Sequence, residues 1–299
     1  MKIIAVAITL ILLFTNINLA NENNVIVVDD EGDGDFVSIQ AAINAANDGD
    51  KIEVYSGIYR ENIVIDKRIS LIGIPHELGE GNDEGKPVIE GKWSENETVA
   101  IEIKAPCMIK NFSIYGNVIG IEINGSGCTI SHNFIADHVN GVLILKNDCI
   151  VSNNIFYNNS VDAIHIDSSM RIGIFNNSIE KSLNGIEIEF YNALDNPPHI
   201  TLKNNSMENC GLEIKGNTLA SYCIDADESN KINGKPLIYL INKSNAIAPS
   251  NAGQIFLINC SNCNVSNCKI EHVSSAISLI YSRNNKIYGN VINSCDTGI

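Results

Sequence analysis

The feature that most constrains this chain is a repeat. Cys107, Cys128 and Cys149 stand 21 residues apart, and the residues after them recur: "IKNFSI" (109–114), "ISHNFI" (130–135), "VSNNIF" (151–156), "IFNNSI" (174–179), "LKNNSM" (202–207), "VSNCKI" (265–270) and "IYGNVI" (287–292). Half a repeat later a second motif returns, as "GIEI" (120–123), "GVLI" (141–144), "AIHI" (163–166) and "GIEI" (185–188). Each repeat therefore holds short alternating apolar and polar stretches separated by Asn, Gly and Ser, the pattern of half-buried strands joined by tight bends. A period of 21–23 residues built this way fits an all-β, right-handed parallel β-helix, in which each repeat is one coil and coils stack about 4.8 Å apart. No leucine framework or helical segment accompanies the period, unlike a leucine-rich repeat, and the fixed order of motifs in every turn separates it from an up-and-down barrel.

Alternation assigns faces. Ile109, Ile130, Val151, Ile174 and Leu202 point inward, as do the residues two before them, which include Cys107, Cys128 and Cys149. Cysteine thus trades places with isoleucine at one interior position, as a small hydrophobe does. Free stacked thiols are expected there in preference to disulfides, whose geometry is demanding. Asn133, Asn154, Asn177, Asn205 and Asn290 share another inward column. A buried amide needs partners, and identical amides at coil spacing supply them to one another, so this column reads as a structural ladder. The column just before it, with Asn111, His132, Asn153, Asn176, Asn204, Asn267 and Gly289, reads as the bend, because Asn and Gly tolerate left-handed backbone.

Departures from the repeat divide the chain. Residues 1–20 have an early lysine, an apolar run from Ile3 to Phe14 and a final alanine, the layout of a signal peptide; that run is shorter than the ~20 residues of a membrane span. Residues 21–106 read as an N-terminal cap and first coils. Phe36, Ile39, Ala42, Ile43 and Ala46 share one helical face, and such a capping helix covers the open end of a β-helix. Residues 107–214 are the regular coils and 215–254 an insertion. Residues 255–299 resume the coils, with a C-terminal end that reads as incomplete. There "IFLINCSNCNV" (255–265) aligns with "GVLILKNDCIV" (141–151), which places Cys260 outward. The net charge of −15 repels the phosphates of nucleic acid. It suits a secreted or cell-surface protein, touching membrane only through an uncleaved N-terminal segment or a missing C-terminal anchor.

Two stretches carry a family resemblance. "DGDFVSIQAAINAANDGDKIEVYSGIYRENIVIDKRISLIG" (33–73) resembles the N-terminal segment of the pectate-lyase-like β-helix superfamily, which includes pectinesterases. "CIDADESNKINGKPLIYLINKSNAIAPSNAGQIFLINCSNCNVSN" (223–267) resembles the NosD-type β-helix proteins common as exported archaeal surface proteins. Together the resemblances extend over nearly all of residues 25–299. They imply a β-helix with polysaccharide partners, and the NosD likeness implies an accessory role in maturing a copper site. The pectinesterase-like "DFIFG" and the polygalacturonase-like "GHG" and "RIK" are absent from the sequence, which puts hydrolase activity in doubt.

The candidate chemistry lies on an outward stripe of the half-repeat strands. Glu102, Glu122, Leu143, His165, Glu187, Glu213, Leu257 and Ser278 stack there, with Lys104, Asn124, Leu145, Asp167, Glu189 and Lys215 two residues on from the first six. His165, Asp167, Glu187 and Glu189 then form a patch across two coils. Close carboxylates shift one another's pKa for acid–base work, or hold calcium or a sugar; a solvated charged sheet face is the plainer reading. "CSNCNVSNC" (260–268) contains C-x-x-C, but a tetrahedral metal needs more convergent ligands, so copper rests on the resemblance alone. "DDEGDGD" (29–35) partly matches a calcium loop, yet Gln40 replaces the closing glutamate and a helix begins early; it reads as a turn and cap. Among the N-x-S/T sequons, Asn96, Asn158 and Asn242 are the glycosylation candidates in an exported chain. The expected function is a non-catalytic surface module that binds glycans or partners, ahead of a polysaccharide lyase or hydrolase using the acidic stripe and of a copper-site accessory protein.

Overall fold

The computed structural model describes residues 24–79, 81–191 and 196–299; the segment read as a signal peptide lies outside them. The chain is a right-handed parallel β-helix. One coil runs through Thr129–Ser131, Phe134–Ala136 and Asn140–Ile144, and the next through Ile150–Ser152, Ile155–Tyr157 and Asp162–Asp167. Each strand pairs in parallel with its counterpart one repeat later, as Ile130 does with Val151 and Val142 with Ile164. The strands line up in three sheets. The first holds nine strands, from Val25–Val28 to Asp225–Ala226, and the third holds seven, from Ile63–Ile65 to Leu212–Gly216. The second holds eleven, its last members joined through an antiparallel pair.

The inward columns make one continuous core. Ile109, Ile130, Val151, Ile174 and Leu202 are fully buried, and each such side chain stabilises the fold by about 2 kcal/mol through removal of apolar surface from water. Cys107, Cys128 and Cys149 are buried and free, as are all nine cysteines in the sense of carrying no disulfide. The neighbouring Cys107 thiol and burial push the Cys128 thiol up to about 12.

Bends are made by left-handed residues. Asn111, His132, Asn153, Asn176 and Asn204 have φ of 66°, 59°, 57°, 55° and 57°. A second corner, between the second and third sheets, uses Asp137, Asn158, Lys181 and Asn209 in the same region. Just inside the first corner runs a ladder of buried amides. Asn154 Oδ1 accepts from the Asn133 backbone N–H (2.9 Å) and from Asn133 Nδ2 (3.2 Å). Asn154 Nδ2 donates to the Ile130 carbonyl (2.9 Å) and to Asn177 Oδ1 (3.1 Å). The pattern continues through Asn177 and Asn205 to Asn230. Every polar atom of a buried amide is thereby satisfied by the coils on either side.

Four sequence expectations need correction. Asn290 makes a rung's bonds but stands apart from this continuous ladder: half-buried in the C-terminal coils, its Oδ1 accepts from the Cys268 backbone (2.9 Å) and its Nδ2 donates to the Val265 carbonyl (3.0 Å), as Asn133 does with Phe112 and Ile109. The rung that pattern reading missed, Asn230, lies within 215–254. That segment is not wholly an insertion, since Asp225–Ala226 extends the first sheet beside Thr201–Leu202 and Lys231–Ile232 extends the second beside Ser206–Met207. The regular path ends at Asn233-Gly234, both at positive φ, a two-residue hairpin turn that sends Lys235–Ile241 back antiparallel.

The third correction concerns Gln254–Ile258, which does not follow Leu212–Gly216 in the third sheet. It pairs with Lys235–Ile241 and Ile277–Ile280. The Gln254 side chain accepts from the Leu212 N–H (2.9 Å) and donates to the Leu212 carbonyl (2.7 Å), occupying the bonds a further backbone strand would take. With this offset Leu257, expected outward in the half-repeat stripe, is buried and pairs with Leu279 instead of Ser278, and Cys260, aligned with the outward Lys146, is buried with its thiol on the Leu240 carbonyl (3.3 Å). The fourth concerns the N-terminal helix, which spans Ile39–Ala45 and is shorter than the apolar face suggested; Phe36 instead forms a bridge with Val28. Its first turn is held by the Glu61 carboxylate, which accepts from the N–H groups of Ile39 (2.7 Å) and Gln40 (3.1 Å). Lys67 Nζ donates to the carbonyls of Ile43, Asn44 and Ala46 at the other end, matching both ends of the helix dipole.

Candidate functional site

The outward stripe of the third sheet is set by strand register. His165 pairs with Leu143 on one side and Glu187 on the other, Asp167 pairs with Glu189, and Glu189 with Lys215. His165, Glu187 and Glu189 come together with two residues from outside the candidate set, Asp162 and Asn184, and with Lys215. Asp162 Oδ2 meets His165 Nδ1 at 2.8 Å. Asn184 Nδ2 donates to Asp162 Oδ1 (2.9 Å) and to Glu187 Oε2 (2.7 Å). Lys215 Nζ bonds Glu187 Oε1 and, at 3.1 Å, Glu189 Oε1. His165 Nε2 lies 4.0 Å from Glu189 Oε2. Asp167 stays at the margin, its Oδ1 accepting from Ser168 Oγ (2.9 Å).

The cluster has two levels. Asp162 and Glu187 are 1% and 3% exposed, while the side chains of His165, Glu189 and Lys215 reach solvent. Burial drives the carboxyl of Glu187 up to about 7, with the charge of Asp162 adding to it and the Lys215 ammonium opposing it. Burial also works against the charge on Asp162, but hydrogen bonds from His165 and Asn184 outweigh it and hold that carboxyl below the ordinary range. Glu189 is likewise held low against burial by Lys215. Burial disfavours the imidazolium of His165, yet the Asp162 bond and carboxylates raise it above its ordinary value. Carboxylates pushed apart in this way divide acid and base roles, and Asp162 fixes the ring of His165 with Nε2 directed toward Glu189.

The parity rule hid Asp162. It shares the parity of the inward Ile164 and Ile166, but alternation breaks at the strand start, where Asp162, Ala163 and Ile164 are all buried. The column Asn140, Asp162, Asn184 was the available signal, and the register aligns it. Lys215 stood in the stripe and was not joined to the patch.

A second feature adjoins the cluster. A groove of about 360 Å³ at the second corner is lined by Trp93, Asn117, Asp137, His138, Asn158 and Ser160, among others. Trp93, the chain's single tryptophan, is 65% exposed, and Ser160 is two residues before Asp162. Sequence reading passed over Trp93 because it belongs to no repeat column; its being a lone tryptophan was the available signal. Asn96, Asn158 and Asn242 are all exposed. Asn158 Nδ2 donates to Asp137 Oδ1 (2.7 Å), and Asn242 Oδ1 accepts from Asn259 Nδ2 (2.7 Å).

Among the described residues, side chains able to hold a metal gather in three groups: Asp162, His165 and Glu187 on the third sheet, and two overlapping acidic groups where the turn after Val25–Val28 meets the loop after Ser70–Gly73. All are carboxylate sets, one with an imidazole. Copper in its reduced state prefers sulfur donors, and the thiols of Cys260, Cys263 and Cys268 instead donate to backbone carbonyls in the core. These thiols therefore do not form a sulfur site for reduced copper.

No family model matches the chain. A probable pectinesterase of Arabidopsis thaliana is 38% identical over 82 residues, a match spanning 26% of this chain and 22% of that protein. Among solved structures, the pectin methylesterase of Aspergillus niger is similar over 90% of this chain and 85% of its own, with 12% identity and a TM-score of 0.45. An alginate lyase from Paenibacillus is similar over 91% and 98%, with 14% identity and a TM-score of 0.46. The tailspike of an Acinetobacter baumannii bacteriophage, a capsular polysaccharide depolymerase, is similar over 92% and 59%, with 11% identity and a TM-score of 0.48.

Proposed function

We propose that this protein is an exported cell-surface β-helix module that binds polysaccharide along its outer face, from the Trp93 groove to the His165 cluster, without cleaving it. The observation that carries this reading is the exposed tryptophan beside a groove of amide, carboxylate and hydroxyl groups. An aromatic face takes the apolar side of a sugar ring, and the polar lining takes its hydroxyls. The net charge of −15 favours neutral or cationic glycans over polyanions. The partial likeness to a pectinesterase fits a polysaccharide partner.

A second reading, a lyase or hydrolase, is favoured by one observation: Glu187 is raised to about 7 while Asp162 and Glu189 are held down beside His165. There His165 Nε2 and Glu189 would face the substrate and Glu187 would exchange protons beneath them. A glycan array followed by product analysis on every bound glycan separates the readings. Binding with no new reducing ends or unsaturated products supports the module, released fragments support the enzyme, and an array with no bound glycan sinks both.

A further inference from the structure

The acidic stretch "DDEGDGD", read from sequence as a turn, meets a second acidic stretch that the repeat pattern did not connect to it. Asp29, Asp30 and Glu31 follow the strand Val25–Val28, and Glu77 and Asp83 follow the strand Ser70–Gly73. Those two strands flank Lys51–Val54 in the first sheet, so their loops emerge side by side. One carboxylate oxygen from each of Asp29, Glu31 and Glu77 lies within 4.8 Å of the other two, and Asp30, Glu31 and Asp83 form a second such set.

Asp29 supplies the independent observation. It is fully buried, and its Oδ2 is taken by the N–H groups of Gly32 and Asp33 at 3.1 Å each. Its Oδ1 is buried without any hydrogen-bond partner, and so is Oδ1 of Asp30. Burying a carboxylate oxygen unpaired is costly unless something compensates it. Among the described residues no lysine or arginine forms an ion pair with any of these five acids.

We propose that Asp29, Glu31 and Glu77, flanked by Asp30 and Asp83, form a calcium site that ties the edge strand of the first sheet to the third coil's loop. The donors are all hard oxygens, as calcium requires, and 4.8 Å is about the greatest oxygen–oxygen separation across an ion bound at 2.4 Å. Loops from two coils give the irregular, adaptable geometry calcium accepts and magnesium does not. The site lies apart from the Trp93 groove and does not depend on the glycan reading.

The test is calorimetric titration of the chelator-treated full chain with calcium, beside thermal unfolding with and without the ion. Asp29 also anchors its turn, so the variant is Glu31→Gln with Glu77→Gln, its fold checked by circular dichroism. The wild type is expected to bind calcium and unfold at a higher temperature in its presence. The double variant is expected to lose one equivalent of bound calcium or to bind it about tenfold more weakly, with the calcium-dependent shift gone. A wild type that takes up no calcium, or a folded double variant with the same stoichiometry and affinity, would overturn the proposal.

Discussion

The same coils carry two buried polar systems of opposite character. Inside the first corner, Asn133, Asn154, Asn177, Asn205 and Asn230 repeat one hydrogen-bond pattern coil after coil. On the outer face, Asp162, His165, Asn184, Glu187 and Lys215 make a single ionic cluster with no copy in the neighbouring coils, where Leu143 and Glu213 flank it. The ladder is neutral and translationally periodic, which is what a stacked architecture requires. The cluster is charged and singular, and it lies where solvent and ligands arrive. Repetition therefore marks architecture in this molecule, and a break in repetition marks a place to look for function.

The largest effect is expected on the ladder side. Replacing Asn154 by Leu removes four hydrogen bonds and strands buried groups on two neighbouring coils. At about 1–3 kcal/mol for each orphaned group, the fold should lose roughly 3 kcal/mol in urea unfolding; a loss below about 1 kcal/mol would show that the ladder is dispensable. Next comes the bend. Asn153 has φ of 57°, so Asn153→Val should cost about 1–2 kcal/mol and Asn153→Gly only a few tenths. Equal effects of the two would mean that backbone conformation is not what selects Asn there.

How much of this was legible follows from the same contrast. The coil period, the core columns and the bend at Asn153 were readable because each is written many times over, and strand alternation then fixes the face of every residue. Asp162 was not readable, because alternation fails near the starts of the third-sheet strands, where consecutive residues are buried. Asn230 was hidden by an irregular segment, and the displaced C-terminal coils by a side chain, Gln254, standing in for backbone. The convergence of Asp29 with Glu77 depends on loops 48 residues apart, which no local pattern reports.

Protonation sharpens the comparison further. His165 is raised above its ordinary value by Asp162, while burial lowers His138. The stability contributed by the charged His165 is complete below the unfolded value near 6.5 and is lost as pH rises through the raised folded value. Glu187, raised to about 7, likewise makes the folded state hold a proton longer, so it also favours folding less as pH rises. His138 runs the other way, costing stability as pH falls below 6.5. In an NMR titration the His165 ring should change charge above pH 6.5 and His138 below it, and Asp162→Asn should bring the His165 midpoint down. An unmoved His165 midpoint in that variant would break the Asp162–His165 pairing. The smallest effect concerns the thiols. Only Cys223 and Cys295 are not fully buried, so in the native protein a disulfide reagent should label those two quickly and the other seven only on unfolding; rapid native labelling of Cys128 would contradict the interior stack.

The central claim is that the outer face, and not the repeated interior, meets the ligand. Its most direct test is the affinity of wild type, Trp93→Ala and Asn154→Leu for whichever glycan the array selects, measured beside their unfolding midpoints. Trp93→Ala should bind at least about tenfold more weakly, a difference of about 1.4 kcal/mol, with its unfolding midpoint unchanged. Asn154→Leu should unfold more easily yet bind as wild type while folded. Wild-type affinity in Trp93→Ala would contradict the account.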